Sequence, residues 1–440
     1  MVINFINHAG FFFEYEDIRL LVDPWLDGTA FNDGWALISK SHHSIHDLAK
    51  ATHIWISHEH PDHFRPGLLA QLPAERRKQI SFLFQKTTDK KVIKFCDDLG
   101  FRTKELGDDA RIPLTDNVVV TSGKSSIYDS WLLIETPSTK ILNLNDSPVR
   151  SQSSISSLRK RVGDIDVLMT QFNFAGWHGN REDTINRVQG ARRKLDTMQL
   201  QIEGLAPRYC VPFASFSYFC HVDNFFMNEE SNSPKVAVDR IRQTSAIPVL
   251  LYPGDSWTVN SSIDNNSALH RYQTDYEHIG QQESLAREPL QLPVLQNLAE
   301  KYRRRKLAQN SRFFIFLLQL IPFLYFLRPI QIHLSDLEIT VSFSFTKAQA
   351  LRPVLTQRSR YTLSMHTDSF GFLLSNDWGV DTLAANGRFR ADRSGLWRLM
   401  ATFGIGTLNN AGLYLNWTLF KNFSSIRFLV ITALRKISFS

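Results

Sequence analysis

Along the first 260 residues, short apolar runs alternate with amphipathic stretches. Period-two runs rich in Val, Ile, Phe and Trp, closed by Gly, Pro, Asn or Asp, predict strands. They are "VINFI", "GFFFEY", "IRLLVD", "HIWIS", "ISFLF", "NVVVTS", "SWLLIE", "KILNLN", "IDVLMTQF", "RYCVPF" and "IPVLLY". Between them, a helical period predicts helices over Pro66–Gln79, Thr88–Leu99, Ser151–Val162, Thr184–Gly204 and Pro234–Gln243. Strand hairpins come first and strand–helix–strand units follow. That order predicts stacked sheets flanked by helices, with loops gathered at one edge.

The pattern breaks after residue 260. Thr258–Ser284 is polar and rich in Asn, Ser and Gln, which predicts a linker. Leu285–Asn310 reads as a charged helix. "IQIHLSDLEITVSFSF", "YTLSMHTDSFGFLL" and "GRFRAD" read as strands, and "GLWRLMATFGIG" as a helix. The expected organisation is therefore a domain over residues 1–260, a linker and helix over 261–310, and a small α+β domain over 311–440.

Composition narrows the class. With 43% hydrophobic and 21% charged residues, the chain is expected to be globular. A net charge of +7, partly in "KYRRRK" (Lys301–Lys306), is too small an excess for its length to predict a nucleic-acid binder. Cys96, Cys210 and Cys220 stand far apart without a CxxC pair, which predicts a reducing, cytoplasmic setting and no in-chain thiolate iron–sulfur centre. "MVINFINHAG" lacks the layout of a signal peptide. "FFIFLLQLIPFLYFL" (Phe313–Leu327) is strongly apolar but shorter than the roughly 20 residues of a membrane span, and Pro322 interrupts it. It reads as a buried helix or helix pair. The second reading is peripheral membrane contact through 301–327, with the basic stretch on anionic headgroups.

The chemistry concentrates where "HIWIS" ends. "SHEHPDHF" sets His58, His60, Asp62 and His63 in one turn that Pro61 keeps from becoming helix. Imidazoles and carboxylates suit zinc, iron or manganese, and the spacing lets one loop feed two adjacent metal positions. Two close metals clamp an attacked group and lower the pKa of a shared water. Further ligands must come from other strand ends. Asp146 follows "KILNLN", and His221 lies beyond "RYCVPF".

"SHEHPDHF" resembles the HxHxDH signature of the metallo-β-lactamase superfamily. "INHAGFFFEYEDIRLLVDPWLDG", "VLMTQFNFAG", "YPGDSW" and "LLSNDWGVDTLAANGRFRA" are similar to motifs of its branch holding CMP-N-acetylneuraminate hydroxylase, with lactonases and N-acyl phosphatidylethanolamine phospholipase D more distant. The resemblance implies a four-layer αββα sandwich with a small sterol-carrier-like C-terminal domain. It also implies His58, His60, Asp62, His63, Asp146 and His221 as ligands of one or two divalent ions, zinc first, iron or manganese next. Asp23 in "VDPWL" would support the ligand loop, and His8 lies on a hairpin near the site. His42, His43 and His46 read as a polar loop and helix start.

Two departures stand out. The family supplies a histidine after the strand matching "NVVVTSG", where this chain has Ser125 and Ser126. The His58–His60 position is then one ligand short. Second, His178 in "NFAGWHGN" stands where the family has no fixed histidine, as a replacement ligand, an acid or base, or a plain loop residue.

The expected function is a metal-dependent hydrolase, with Asp62 orienting a metal-activated water that attacks a phosphodiester, lactone or amide of a small-molecule, glycan or lipid-derived substrate. The alternative is a hydroxylase-like oxygenase acting on a sugar nucleotide or glycan with a separate Rieske partner. A third reading is a degenerate metal fold that binds lipid or membrane.

Overall fold

The computed structural model describes residues 1–417 except 127, 280–284, 321–324 and 356–361. Two seven-stranded sheets dominate the first part. In space, the first runs Ser256–Thr258, Val2–Asn7, Gly10–Tyr15, Ile18–Val22, His53–Ile56, Ser81–Gln85 and Arg102–Leu106. The second runs Ile247–Pro248, Tyr209–Phe213, Val167–Gln171, Lys140–Asn145, Ser130–Glu135, Val119–Lys124 and Ala110–Pro113. Each sheet is antiparallel at one side and parallel at the other.

Strand alternation explains the layers. Phe11 and Phe13 point into the core between the sheets, with Leu20, Val22 and Trp55, against Trp131, Leu133 and Phe213 of the second sheet. Phe12, Leu21, Ile54 and Ile56 point the other way, onto Leu68, Leu69, Val92 and Cys96 of the outer helices. On the far face, Ile155, Leu158, Met198, Ile202 and Ile241 come from three helices: Gln152–Val162, Thr184–Leu205 and Pro234–Arg242. The result is the expected helix–sheet–sheet–helix sandwich.

Several elements differ from the sequence reading. Pro73 divides the helix expected over 66–79 into Pro66–Ala70 and Ala74–Arg77. The linker expected over 258–284 contains a 15-residue helix, Asn265–Ile279, whose Ala268, Tyr272 and Ile279 are buried; residues 280–284 of that linker lie outside the described ones. Burial of one apolar stripe overrides its polar composition. "RTKEL" (Arg102–Leu106) is a strand although its pattern is charged, because it sits at a sheet edge.

The C-terminal part forms a second core around a five-stranded sheet. The helix Leu292–Gln309 contributes Leu295, Ala299 and Tyr302 to it. "YTLSMHTDSFGFLL" is a strand only over Leu363–Met365, then a helix over Thr367–Ser375; Tyr361 lies outside the described residues. The helix Arg393–Asn410 matches expectation. The apolar segment forms a helix over Arg312–Gln319, with 321–324 outside the described residues. No helix among the described residues is long and apolar enough to cross a membrane. Phe313, Phe316 and Leu320 of that segment are exposed. Of the basic stretch, buried Lys306 and neighbouring Arg305 both lie 2.9 Å from Asp377 Oδ1, so they face the protein and not an external surface.

Candidate metal centre

Parallel strands of both sheets end at one edge, and loops at that edge are where a fold of this kind collects side chains. From the first sheet come His8 at the hairpin after Val2–Asn7, Asp23 after Ile18–Val22, and the His58–His63 turn after His53–Ile56. From the second come Asp129, just before Ser130–Glu135, and Asp146, just after Lys140–Asn145. The backbone is left-handed at His8 (φ 43°), Asp23 (φ 36°) and Asn145 (φ 57°). Such conformations in non-glycine residues are held against local strain, and they cluster here at the convergence of the loops.

Three groups of ligand-type side chains have donor atoms within 4.8 Å of one another: His58, His60 and Asp129; His8, Asp62 and His63; and His58, His63 and Asp146. The first two are each two imidazoles and one carboxylate. Asp146 joins them, its Oδ2 lying 3.7 Å from His58 Nε2 and 3.8 Å from His63 Nε2. His58 Nε2 is 2.8 Å from His60 Nδ1 and 4.0 Å from Asp129 Oδ1. Asp62 Oδ2 is 3.2 Å from His63 Nε2 and 3.4 Å from His8 Nε2. His8, His58, Asp62 and His63 are buried.

A ring of supporting hydrogen bonds aims these groups. Asp23 is buried and accepts from His63 Nδ1 (2.9 Å), the Ser57 amide (2.8 Å), Ser57 Oγ (2.6 Å) and Asn145 Nδ2 (2.5 Å). That turns His63 Nε2 toward Asp62 and Asp146. Such carboxylate–imidazole pairs orient metal-binding histidines. Ser57 Oγ lies 2.9 Å from His58 Nδ1, which leaves His58 Nε2 for the cluster.

The electrostatics fit a cationic occupant. Burial pushes the Asp62 carboxyl up, but the facing His63 and His8 outweigh it and hold it well below the ordinary carboxylate range. Burial pulls His63 down, yet Asp62, Asp146 and Asp23 raise it well above the ordinary imidazole value. Burial and the neighbouring His58 lower His60. Asp62 Oδ1, His63 Nε2 and Asp146 Oδ1 are buried without a hydrogen-bond partner. Orphaned polar atoms in a buried site call for a partner, and here the orphans are metal donors. The residues therefore fit a divalent metal: His58, His60 and Asp129 form one group that could hold an ion and His8, Asp62 and His63 another, with Asp146 within reach of His58 and His63.

Of the residues expected from sequence, His58, His60, Asp62, His63 and Asp146 come together, and Asp23 supports them. His221 and His178 do not join any of these groups. His221 Nδ1 lies 3.2 Å from Asp223 Oδ2, and Asp223 is also 3.5 Å from Arg388 Nε, at the contact with the C-terminal part. His178 stacks edge-on to Phe174 at 5.0 Å and packs over Gly190. Burial, then Arg193, Lys194 and Arg150, push it down to about 3, so its ring is neutral.

Two members were not singled out as ligands from sequence. Asp129, on the turn that Ser125 and Ser126 open, lies in one group with His58 and His60. Ser126 Oγ donates to Asp129 Oδ2 at 2.7 Å and accepts from the Asp129 amide at 2.9 Å, so the serine shapes the turn that presents the acid. The available signal was an acid three residues past Ser126, next to a strand. His8 stood out only as a hairpin residue near the site. Beside it opens a cleft lined by His8, Trp35, Gln171, Phe174, Tyr218 and Phe219.

Residues 2–173 match the model of the beta-lactamase superfamily domain. Cytidine monophosphate-N-acetylneuraminic acid hydroxylase of Mus musculus is 26% identical over 267 residues, 56% of this chain and 44% of that protein. A putative Rieske 2Fe-2S iron-sulfur protein of Mycolicibacterium smegmatis is 24% identical over 258 residues, 53% of this chain and 47% of that protein. The chain thus spans about half the length of the curated relatives it matches. Among solved structures, CmlA, a diiron beta-hydroxylase from Streptomyces venezuelae, aligns with a TM-score of 0.41 at 15% identity, over 59% of this chain and 54% of that one.

Proposed function

We propose that this chain, whose residues 2–173 match the beta-lactamase superfamily domain, is a dinuclear metal enzyme of the hydroxylase type, receiving electrons from a separate Rieske-class partner. The observation that carries the reading is Asp129. It makes the first position His58–His60–Asp129, and the second position, His8–His63–Asp62, has the same two-imidazole, one-carboxylate composition. That donor set with open positions suits non-haem iron. The sequence relatives with hydroxylase and Rieske names point the same way.

The metals would supply redox chemistry with dioxygen. The balance is one C–H bond of the substrate, O2, two electrons and two protons giving C–OH and water, the electrons coming from the Rieske partner. This chain's own residues hold the ions, with Asp23 and Ser57 fixing His63 and His58. The cleft beside His8 would seat the substrate, a sugar nucleotide or glycan. Its aromatic walls, Trp35, Phe174, Tyr218 and Phe219, exclude water from one face.

Metal-dependent hydrolysis is the second reading, because the same imidazole and carboxylate groups would also suit ions that activate water. One experiment separates the two. Protein purified without added metal is assayed for metal content, then tested for turnover in ¹⁸O₂ with a reduced Rieske-type donor. Two irons per chain, and product oxygen from O₂ only when the donor is present, are expected. Zinc content with product oxygen from water and no need of a donor would replace hydroxylation by hydrolysis.

A further inference from the structure

The helix Arg312–Gln319 carries apolar residues on two sides. Ile315 enters the second core, and Phe314 and Leu318 pack against that core. This side anchors the helix, and the Ser311 amide ties its start by donating to the Leu415 carbonyl at 2.8 Å. Phe313, Phe316, Leu317 and Leu320 follow the i, i+3, i+4, i+7 spacing of one helical face. Such a stripe ordinarily turns to the core. Here it turns outward: Phe313 and Phe316 are each 56% exposed, and Leu320 is 58% exposed. Single exposed apolar residues are ordinary on a protein surface, but four large ones in one stripe mark a face that meets an apolar partner.

Cations flank the stripe. Exposed Arg312 opens the helix. At the other end, Gln319 Nε2 donates to the Leu327 carbonyl at 2.6 Å, and Arg328 Nε donates to the Gln319 carbonyl at 2.9 Å, which folds the following chain back onto the helix end. Arg398 stands 5.3 Å over the ring of Tyr325, which is itself exposed. Residues 301–335 and 393–440, which supply all of these side chains, contain no Asp or Glu. A second copy of the chain docked face to face would set one cationic rim against the other. Residues 418–440 bring Lys421, Arg427, Arg435 and Lys436 and no acid, so they offer the arginines no charge complement. A bilayer with anionic headgroups complements both features, with acyl chains for the stripe and negative charge for the arginines.

We propose that the outward stripe Phe313, Phe316, Leu317 and Leu320, with Arg312, is a docking surface for an anionic lipid bilayer. The helix is too short to cross and lies in the interface plane, its stripe among the upper acyl carbons. This helix carries the contact in place of the basic stretch before it, whose Arg305 and Lys306 are paired with Asp377. The docking surface belongs to the C-terminal part and is independent of the reaction at the metal centre.

The test mixes the full chain with vesicles of phosphatidylcholine alone or of phosphatidylcholine with phosphatidylserine. Bound protein is read by co-sedimentation across lipid and salt concentrations, with thermal midpoint and metal content measured on each variant. The parent is expected to bind the phosphatidylserine vesicles, and less tightly as salt rises. Phe316→Glu and Leu320→Glu are each expected to bind about tenfold more weakly, and Arg312→Gln about fivefold, with midpoint and metal content unchanged. A parent that binds neither vesicle would overturn the proposal, as would full binding by both glutamate variants or equal binding to the two vesicle types. A dimer in the absence of lipid that Phe316→Glu splits would assign the stripe to a second copy and overturn it too. If one glutamate variant fails to fold, the other decides by the same criterion. Because binding is read without turnover, the outcome stands apart from whether the reaction is hydroxylation or hydrolysis.

Discussion

At the scale of single residues, the centre turns on which donors are present and how each is aimed. Asp129→Ala is expected to remove one metal position and leave the other, so bound metal falls from two ions per chain to one. Elemental analysis of both proteins after identical metal loading checks this, and two tightly held ions in the variant would refute it. Asp23→Ala leaves His63 free to turn and removes four hydrogen bonds from the loop. Metal affinity is expected to fall about 10- to 100-fold, as for other outer partners of ligating histidines, and a competitive chelator titration would show it. The pH dependence follows from His63. Metal-free, its raised pKa favours the protonated ring, and a metal must displace that proton. Metal affinity is therefore expected to rise with pH through neutrality. Metal-free stability should run the opposite way: the His63 contribution is complete below its unfolded-state pKa and is lost as pH rises through the raised folded value. Thermal midpoints of apo and loaded protein across pH check both signs. His58, His60, Asp62 and His63 were legible in the sequence as ligand-type residues because HxHxDH is a local pattern, and the structure gathers them with Asp146. Asp129 carries no such pattern, because only the turn shaped by Ser126 brings it toward His58.

At the scale of elements, the end of the helix Arg393–Asn410 touches both ligand-bearing loops. Asn410 Nδ2 donates to Glu59 Oε1 at 2.6 Å, between His58 and His60, and Tyr128 Oη donates to the Thr407 carbonyl at 3.1 Å, next to Asp129. Lys91 Nζ also reaches the Asn410 carbonyl at 3.0 Å. Both contacts fall on the His58–His60–Asp129 position. Asn410→Ala with Tyr128→Phe is expected to weaken that ion several-fold while the second ion is held as before. The two exposures also remove hydrogen bonds worth about 1 kcal/mol each. Stepwise metal titration resolves the two positions, and equal loss at both would argue against the assignment. The helix itself was legible from "GLWRLMATFGIG". Its docking on the ligand loops was not, because neither Asn410 nor Glu59 carries a periodic signal that names its partner.

At the scale of the molecule, two cores meet at the loop that carries Phe31 and Asn32. Arg388 is buried, 2.5 Å from Asp368, and donates to the Asn32 carbonyl at 2.7 Å, while Asn386 Nδ2 donates to the Phe31 carbonyl at 2.9 Å. Phe31 in turn packs on Trp35 at 4.5 Å and on His60 at 5.8 Å. The C-terminal part therefore fastens the loop that walls the cleft. Arg388→Met leaves Asp368 buried without its guanidinium partner and is expected to cost about 3–5 kcal/mol. Denaturant unfolding should then separate into two transitions, and a single unshifted transition would show that this contact does not join the two parts.

By itself the sequence determined the sandwich, because alternation such as Phe11, Phe12 and Phe13 assigns each side chain to a face, and periods are local. It also set four ligand-type side chains, His58, His60, Asp62 and His63, in one turn. Only the tertiary structure decided which ligand-type side chains gather with them: His8 and Asp129 fall within the groups, and His178 and His221 do not. Membership depends on which loop tips from two different sheets come within a few ångströms, and on what turns each ring. His221 lies against Asp223, two residues on, and His178 against Phe174 and Gly190 of its own stretch of chain, contacts that only the folded backbone shows to hold both rings outside the groups.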